Sequence, residues 1–146
     1  MDVRFEIALP REAYTVAVMR DFLGEALRAN GICDDCAFKI QLAASEACSN
    51  AVDHGAPARE YTVTTHLDSR SCVLEVSHSG PAFSAATVPL PALDSESGRG
   101  ILMMRELVDE VAFHGAGDGR TTVRLSTHLR HGLEPAQQDR PTVVLC

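Results

Sequence analysis

Three polar side chains at four-residue spacing give the sequence its most direct suggestion of chemistry. They are Glu46, Asn50 and His54, within residues 42–55. On a helix, residues four apart advance by only about 40° around the axis, so the three share one strip. A carboxylate and a carboxamide one turn apart can hold Mg²⁺ or orient a hydroxyl. A solvated polar face gives the same spacing, so this assignment depends on a second motif.

Glycines farther along the chain supply that second motif. Gly98 and Gly100 lie two apart, just before a predicted helix. Such glycines allow close backbone approach, and a helix N-terminus directs N–H groups and a positive dipole end at an anion, which suits a triphosphate. Loop entry and helix capping also account for glycine pairs of this kind. Gly80 follows a predicted strand, where a glycine could let the chain turn beneath a flat ring.

Two predicted helices position the polar strip. Residues 11–29 and about 34–54 have helical spacing, with Asp34 or Asp35 capping the second helix and Gly55 near its end. The buried stripe of the first helix is predicted to be Val16, Met19, Phe22, Leu23, Ala26 and Leu27. The buried face of the second is predicted to be Ile40, Ala44, Cys48 and Ala51.

Alternating apolar residues predict the strands, at 3–9, 61–67, 71–77, 110–114 and 121–128. Two helices following the first strand, and one more before the last hairpin, make this an α+β arrangement. It favours a mostly antiparallel sheet with its helices on one face.

The remaining segments lack regular spacing. Residues 79–99 show no periodicity, as is typical of a functional lid or a disordered insert, and a short helix is predicted over 100–107. The stretch 131–146 is expected to be a flexible C-terminal tail, which leaves 1–130 as the folded domain.

Composition excludes some classes of function. The 146 residues carry a net charge of −7, which argues against a surface for duplex nucleic acid. No secretory signal and no apolar run long enough to span a membrane is visible, so a cytoplasmic location is expected. Five cysteines, an odd number, disfavour a disulfide framework. Cys33 and Cys36 could form a redox couple or half of a zinc site, although inert buried thiols also fit.

In this order and combination, the motifs resemble the GHKL superfamily of ATP-binding domains, the Bergerat fold. The branch with the greatest similarity is that of the anti-sigma-factor serine-protein kinases, which carry E-A-x-x-N-A-x-x-H, found here at 46–54. Their G-R-G-hydrophobic, L-V/M-D-E-V and T-T-V motifs match residues 98–101, 107–111 and 121–123. The resemblance spans roughly 3–129 and implies a two-layer α+β sandwich on a mostly antiparallel mixed sheet.

The resemblance implies roles for individual residues. Asn50 would ligate Mg²⁺, and Glu46 would act as general base or orient the attacking serine hydroxyl. Arg99 would add charge near the γ-phosphate or remain a solvated lid arginine, and His54 would join the nucleotide site or cap its own helix. The phosphate cradle would be the amides of Gly98, Arg99, Gly100 and Ile101, beneath a mobile lid at 84–96.

The adenine end of the implied site departs from the family pattern. Thr121 would hydrogen-bond towards the base and Gly80 would pass under it. The superfamily places an aspartate two residues before that glycine, whereas this chain has His78, and Ala82 replaces the second glycine of the motif. Neutral imidazole offers one acceptor nitrogen and imidazolium none, so base recognition is expected to be altered.

The resemblance implies an anti-sigma factor that uses ATP to phosphorylate a serine of a STAS-domain anti-anti-sigma antagonist. A homodimer is implied, with no direct contact to nucleic acid or membrane. The alternative is a binding-only anti-sigma or adaptor protein on the same fold, motivated by His78 and Ala82. The catalytic module of a histidine kinase is a third possibility, although no dimerisation helix with a phosphoacceptor histidine precedes the domain.

Overall fold

The computed structural model describes residues 2–79, 96–115, 119–129, 131–132 and 144–145. Over these residues the chain forms a five-stranded sheet and three helices, which confirms the predicted α+β sandwich. None of the described helices has both the length and the apolar character needed to cross a bilayer.

The described elements follow one another as β1 (Asp2–Pro10), α1 (Ala13–Ala29), α2 (Asp34–His54), β2 (Glu60–Asp68), β3 (Ser71–Ser79), α3 (Glu96–Leu107), β4 (Glu110–Gly115), β5 (Arg120–His128), β6 (His131–Gly132) and β7 (Val144–Leu145). The main sheet has the order β1-β2-β3-β5-β4, and each neighbouring pair in it is antiparallel. The short strands β6 and β7 pair with each other, within the stretch predicted as a flexible tail. Because residues 133–143 lie outside the described residues, the domain boundary at residue 130 stays a prediction.

The two faces of the main sheet differ because successive side chains of a strand point to opposite sides. One face carries the apolar core, whose strand residues include Tyr61, Val63, Leu67, Cys72, Leu74, Val76, Val123 and Leu125. On the other face, Glu6, Thr64 and Glu75 lie side by side across the register. The helices therefore cover a single face of the sheet.

Helix α2 lies at the centre of the helical layer, in contact with α1, α3 and the strands β2, β3 and β5. Its predicted buried face is confirmed: Ile40, Ala44, Cys48 and Ala51 are each at most 3% exposed. Small side chains on this face let the helix approach the sheet closely. The polar strip of α2 consequently faces a neighbouring helix and not the sheet.

The start of α2 differs from the prediction. The N-cap is Cys33, whose sulfur accepts a hydrogen bond from the amide of Cys36 at 3.5 Å, and Asp34 and Asp35 lie in the first turn. Acidic residues there are favoured by the positive end of the helix dipole, so they stabilise the helix without capping it.

The four described cysteines differ in their chemical state. Cys33 takes part in a disulfide while Cys36 keeps its thiol, so the two do not form a redox couple with each other. The expectation of inert thiols is therefore wrong for Cys33. Cys48 and Cys72 are buried free thiols, and burial raises the pKa of each to about 12.

Helix α1 packs through one line of residues four apart, in which Met19, Leu23 and Leu27 are each at most 1% exposed. The prediction that Phe22 belongs to the buried stripe is wrong, since this side chain is 42% exposed. Its position is about 100° around the helix from Leu23, which turns it to the margin of the buried face.

Candidate functional site

Glu46 and Asn50 meet the glycine segment where α2 packs beside α3. A Cβ atom placed on Gly100 would lie 2.7 Å from Glu46 Oε2 and 3.9 Å from Asn50 Oδ1. The carboxylate and the carboxamide therefore both reach the backbone of the G-R-G segment. At 2.7 Å a methyl group and the carboxylate cannot coexist, so glycine at position 100 is what leaves the carboxylate in place.

The Glu46 carboxyl group is half-buried, and this has a consequence for its proton affinity. Burial raises the pKa of Glu46 above its ordinary value because the charged form loses water. A carboxylate with a raised pKa is a stronger proton acceptor than an exposed one. The environment thus suits Glu46 to accept a proton from a hydroxyl placed near Gly100.

Asn50 carries an unsatisfied polar atom. Its Nδ2 is buried, and no hydrogen-bond partner for it is found among the described residues. Leaving a buried amide unpaired costs about 1–3 kcal/mol, which a bound polar ligand would offset. The same carboxamide has an oxygen that faces Gly100, and oxygen is the ligand type that Mg²⁺ takes.

The donor set around Asn50 fits Mg²⁺ that is shared with a phosphate chain. In the described part of the chain, no group of three or more His, Cys, Asp or Glu side chains could hold a metal ion unaided. Mg²⁺ is commonly bound by one or two protein groups, with phosphate oxygens and waters completing the octahedron. Asn50 Oδ1 is therefore a suitable protein ligand for an ion brought in with a nucleotide.

The glycine segment lies inside α3, not before it. The helix begins at Glu96, so the predicted start at Gly100 is wrong by one turn. The first amides of a helix have no carbonyl partner within it, whereas later ones do. Gly98 accordingly lies in the first turn of α3, whose free amides could bind an anion, while Gly100 and Ile101 follow two and three residues later and are buried.

His78 and Thr121 are the two described residues predicted for the adenine end of the site. They are paired across β3 and β5 and are 7% and 2% exposed. The Nδ1 atom of His78 lies 3.2 Å from the carbonyl oxygen of Ser79. Since a carbonyl only accepts, Nδ1 of the neutral imidazole carries the proton and Nε2 keeps its lone pair. The one acceptor that neutral imidazole offers is therefore Nε2.

The other predicted site residues have mixed outcomes. His54 is exposed in the last turn of α2, and Arg99 is helical in backbone. Gly80 and Ala82 lie outside the described residues, as do residues 84–95 of the predicted lid.

Sequence reasoning missed the part played by Arg11. Its guanidinium donates hydrogen bonds to the carbonyl oxygens of Val52 and, at 2.7 Å, Ala58. The last carbonyls of a helix lack partners within it, so Arg11 secures the end of α2 on which the polar strip depends. An arginine between a strand and a helix gives no signal in sequence, because its partners are far away in the chain.

The chain was compared with known protein families, curated proteins and solved structures. The family model of the histidine kinase-like ATPase domain matches residues 9–127. A search of curated proteins found no match.

One similar solved structure is the crystal structure of the RsbU and RsbW domains of Rv1364c from Mycobacterium tuberculosis. The two chains are 23% identical and superpose with a TM-score of 0.66. The match covers 86% of this chain and 31% of that one, so this chain spans less than a third of that protein's length. At this identity, the likeness shows the shared fold.

Proposed function

This chain belongs to the histidine kinase-like ATPase family, and we propose that it is an ATP-dependent serine-protein kinase that acts as an anti-sigma factor. The observation that carries the proposal is the meeting of Glu46 and Asn50 with Gly100. In this proposal Glu46 is the proton acceptor and Asn50 the metal ligand, beside the first turn of α3, whose free amides could bind phosphate.

The residues of the site have distinct roles in this proposal. Asn50 Oδ1 would hold Mg²⁺, which supplies positive charge to the phosphates. Glu46 would take the proton from the attacking serine hydroxyl, since positioning and electrostatics provide most of the catalysis in phosphoryl transfer. The phosphates would be bound at the first turn of α3, where the amide of Gly98 has no carbonyl partner within the helix; the amides of Gly100 and Ile101, which the resemblance also implied, lie too far along the helix to take part. His78 and Thr121 would face the adenine.

The proposed partners follow from the resemblance to anti-sigma-factor serine kinases. The protein would sequester a sigma factor and phosphorylate a STAS-domain antagonist, acting as a homodimer in the cytoplasm. The fold shared with a chain that contains an RsbW domain supports this assignment.

We expect the purified protein to transfer the γ-phosphate of Mg·ATP to a serine of a STAS-domain protein from the same organism. Mass spectrometry of the acceptor would locate the phosphate. The variant Asn50→Ala should lose the Mg²⁺-dependent part of its ATP affinity in calorimetry, because it lacks the metal ligand. Absence of transfer at saturating ATP by the wild-type protein would end the kinase proposal.

A binding-only anti-sigma or adaptor protein is the second candidate, and buried His78 is the observation that favours it. With one acceptor atom, the imidazole cannot reproduce the two oxygens of an aspartate. In this candidate the fold and the protein partners are retained, while nucleotide affinity is weak or lost.

Replacing His78 with aspartate should tighten ATP binding by about one to two orders of magnitude. A carboxylate supplies the missing acceptor, and a buried polar group left unmatched costs about 1–3 kcal/mol. Calorimetry with Mg·ATP measures the change, with His78→Leu as the matched control. If leucine weakens binding, Nε2 already accepts from the base. If neither variant changes the affinity, His78 does not face the adenine.

A further inference from the structure

Cys33 lies at the junction between α1 and α2 and takes part in a disulfide. It is the N-cap of α2 and follows Ile32, which is 3% exposed and belongs to the apolar core. Cys33 itself is half-buried, which leaves part of its surface open to a partner from outside the core.

The sequence leaves one candidate for the other half of this disulfide. The chain has five cysteines, and Cys36, Cys48 and Cys72 all keep their thiols. The remaining cysteine of the sequence is Cys146. It lies outside the described residues, and it directly follows β7.

Helix α1 carries the chain to the end of the sheet at which β1 begins. Near the start of the helix, the hydroxyl groups of Thr15 and Tyr61 are 2.7 Å apart, and Tyr61 pairs with the last part of β1. Two turns later, Phe22 packs edge-on against Phe5 in the middle of β1, with 5.3 Å between the ring centroids. The helix therefore runs back along β1, so its junction with α2 lies near the beginning of that strand.

Strand β5 ends at the same side of the sheet. The turn between β2 and β3 lies there, because Asp68 before the turn pairs with Asp2. The amide of Leu129, the residue after β5, donates to the carbonyl oxygen of Arg70 in this turn at 2.8 Å. Leu129 also belongs to the same apolar core as Ile32. The chain thus leaves β5 close to the junction between α1 and α2.

The pairing of β6 with β7 keeps Leu145 near this place. Strand β6 begins two residues after Leu129, and its His131 pairs with Leu145. Two residues span at most about 7 Å, and paired strand residues have Cα atoms about 4.5–5.5 Å apart, so the Cα atom of Leu145 lies within about 13 Å of that of Leu129. The residue before Cys146 is therefore at the end of the molecule that carries Cys33.

We propose that Cys33 and Cys146 form a reversible disulfide that fastens the segment after β5 to the start of α2. When the bond forms, an oxidant such as hydrogen peroxide takes up two electrons and the two thiol protons and leaves as two molecules of water. A dithiol reductant opens the bond again by thiol–disulfide exchange. In a reducing compartment such a bond is transient, so an oxidant is the signal that closes it.

Closing this disulfide changes the stability of the domain and leaves the candidate site alone. The closed loop holds residues 34–145, which include every described element from α2 to β7. A cross-link across such a loop restricts the unfolded chain, so the oxidised protein is the more stable form. Asn50 lies 17 residues along α2 from Cys33, about 25 Å away. The inference is therefore independent of the proposed nucleotide chemistry.

Peptide mapping tests the pairing. The full-length protein is oxidised with hydrogen peroxide, its remaining thiols are blocked, and it is digested without reduction. We expect one linked pair of peptides that carries Cys33 and Cys146. Cys33→Ser should lose the link, whereas the matched control Cys36→Ser should keep it. A link between Cys33 and Cys36, a link between two copies of the chain, or no link at all overturns the proposal.

Thermal denaturation tests the effect on stability. The oxidised wild-type protein should melt roughly 5–15 °C above its reduced form. In Cys146→Ser this difference should vanish, while the reduced variant should melt with the reduced wild type because its fold is intact. Equal melting temperatures for oxidised and reduced wild type would contradict the stabilising role. Phosphoryl transfer by reduced Cys146→Ser should match that of the reduced wild type, and its absence from both would count against the kinase and not against the disulfide.

Discussion

Glu46→Gln is expected to slow phosphoryl transfer by roughly 10²–10⁴-fold, the usual contribution of a general base. Glutamine has the same shape as glutamate, but its carboxamide does not take up a proton from a hydroxyl. ATP affinity should change little, because the metal ligand Asn50 and the amides at the start of α3 remain. Single-turnover transfer to the STAS-domain acceptor measures the first quantity, and calorimetry measures the second.

The matched control for Glu46→Gln is Glu75→Gln. Glu75 lies on the polar face of the sheet, away from the helices, so its replacement should leave transfer unchanged. If Glu46→Gln keeps the wild-type rate of transfer, the carboxylate is not the base.

Gly100→Ala is expected to preserve the fold and slow the reaction. The new methyl group would meet the tip of a flexible side chain, Glu46 Oε2 at 2.7 Å, so the carboxylate moves while the backbone stays. Because alanine is favoured over glycine within a helix, the free energy of unfolding should stay the same or rise by up to about 1 kcal/mol. A displacement of about 1 Å at a reacting group can cost about 10²-fold in rate. Thermal denaturation and single-turnover transfer measure the two effects.

Gly24→Ala is the matched control for this substitution. It places a methyl group inside α1, where it would also meet a side-chain tip, Gln41 Nε2 at 2.1 Å. That position is remote from α3, so transfer should continue at the wild-type rate. A Gly100→Ala protein that transfers phosphate normally would contradict the proposed role of Glu46, since the carboxylate cannot keep its place.

Much of the fold could be predicted because backbone periodicity is a local property. The alternation along β2 and β3 and the four-residue line of α2 fix which side of each element is apolar. The prediction of buried residues fails for Phe22 of α1, because its burial depends on how the helix packs on the sheet. Phe22 satisfies the helical period as well as Leu23 does, yet packing on the sheet buries Leu23 and turns Phe22 toward Phe5.

For the candidate site, the sequence by itself determined which groups are available. They are the Glu46 carboxylate and the Asn50 carboxamide, one helical turn apart, and the glycine segment at 98–100. Only the tertiary structure decided that Gly100 lies against Glu46 Oε2, that Asn50 Nδ2 is buried without a partner in the described part of the chain, and that α3 begins a turn early. It also decided that Nδ1 of His78 lies 3.2 Å from the Ser79 carbonyl oxygen, which leaves Nε2 as the acceptor of a neutral imidazole. The reason is that residue spacing fixes direction around one helix or strand, whereas distances between elements depend on how the whole core packs.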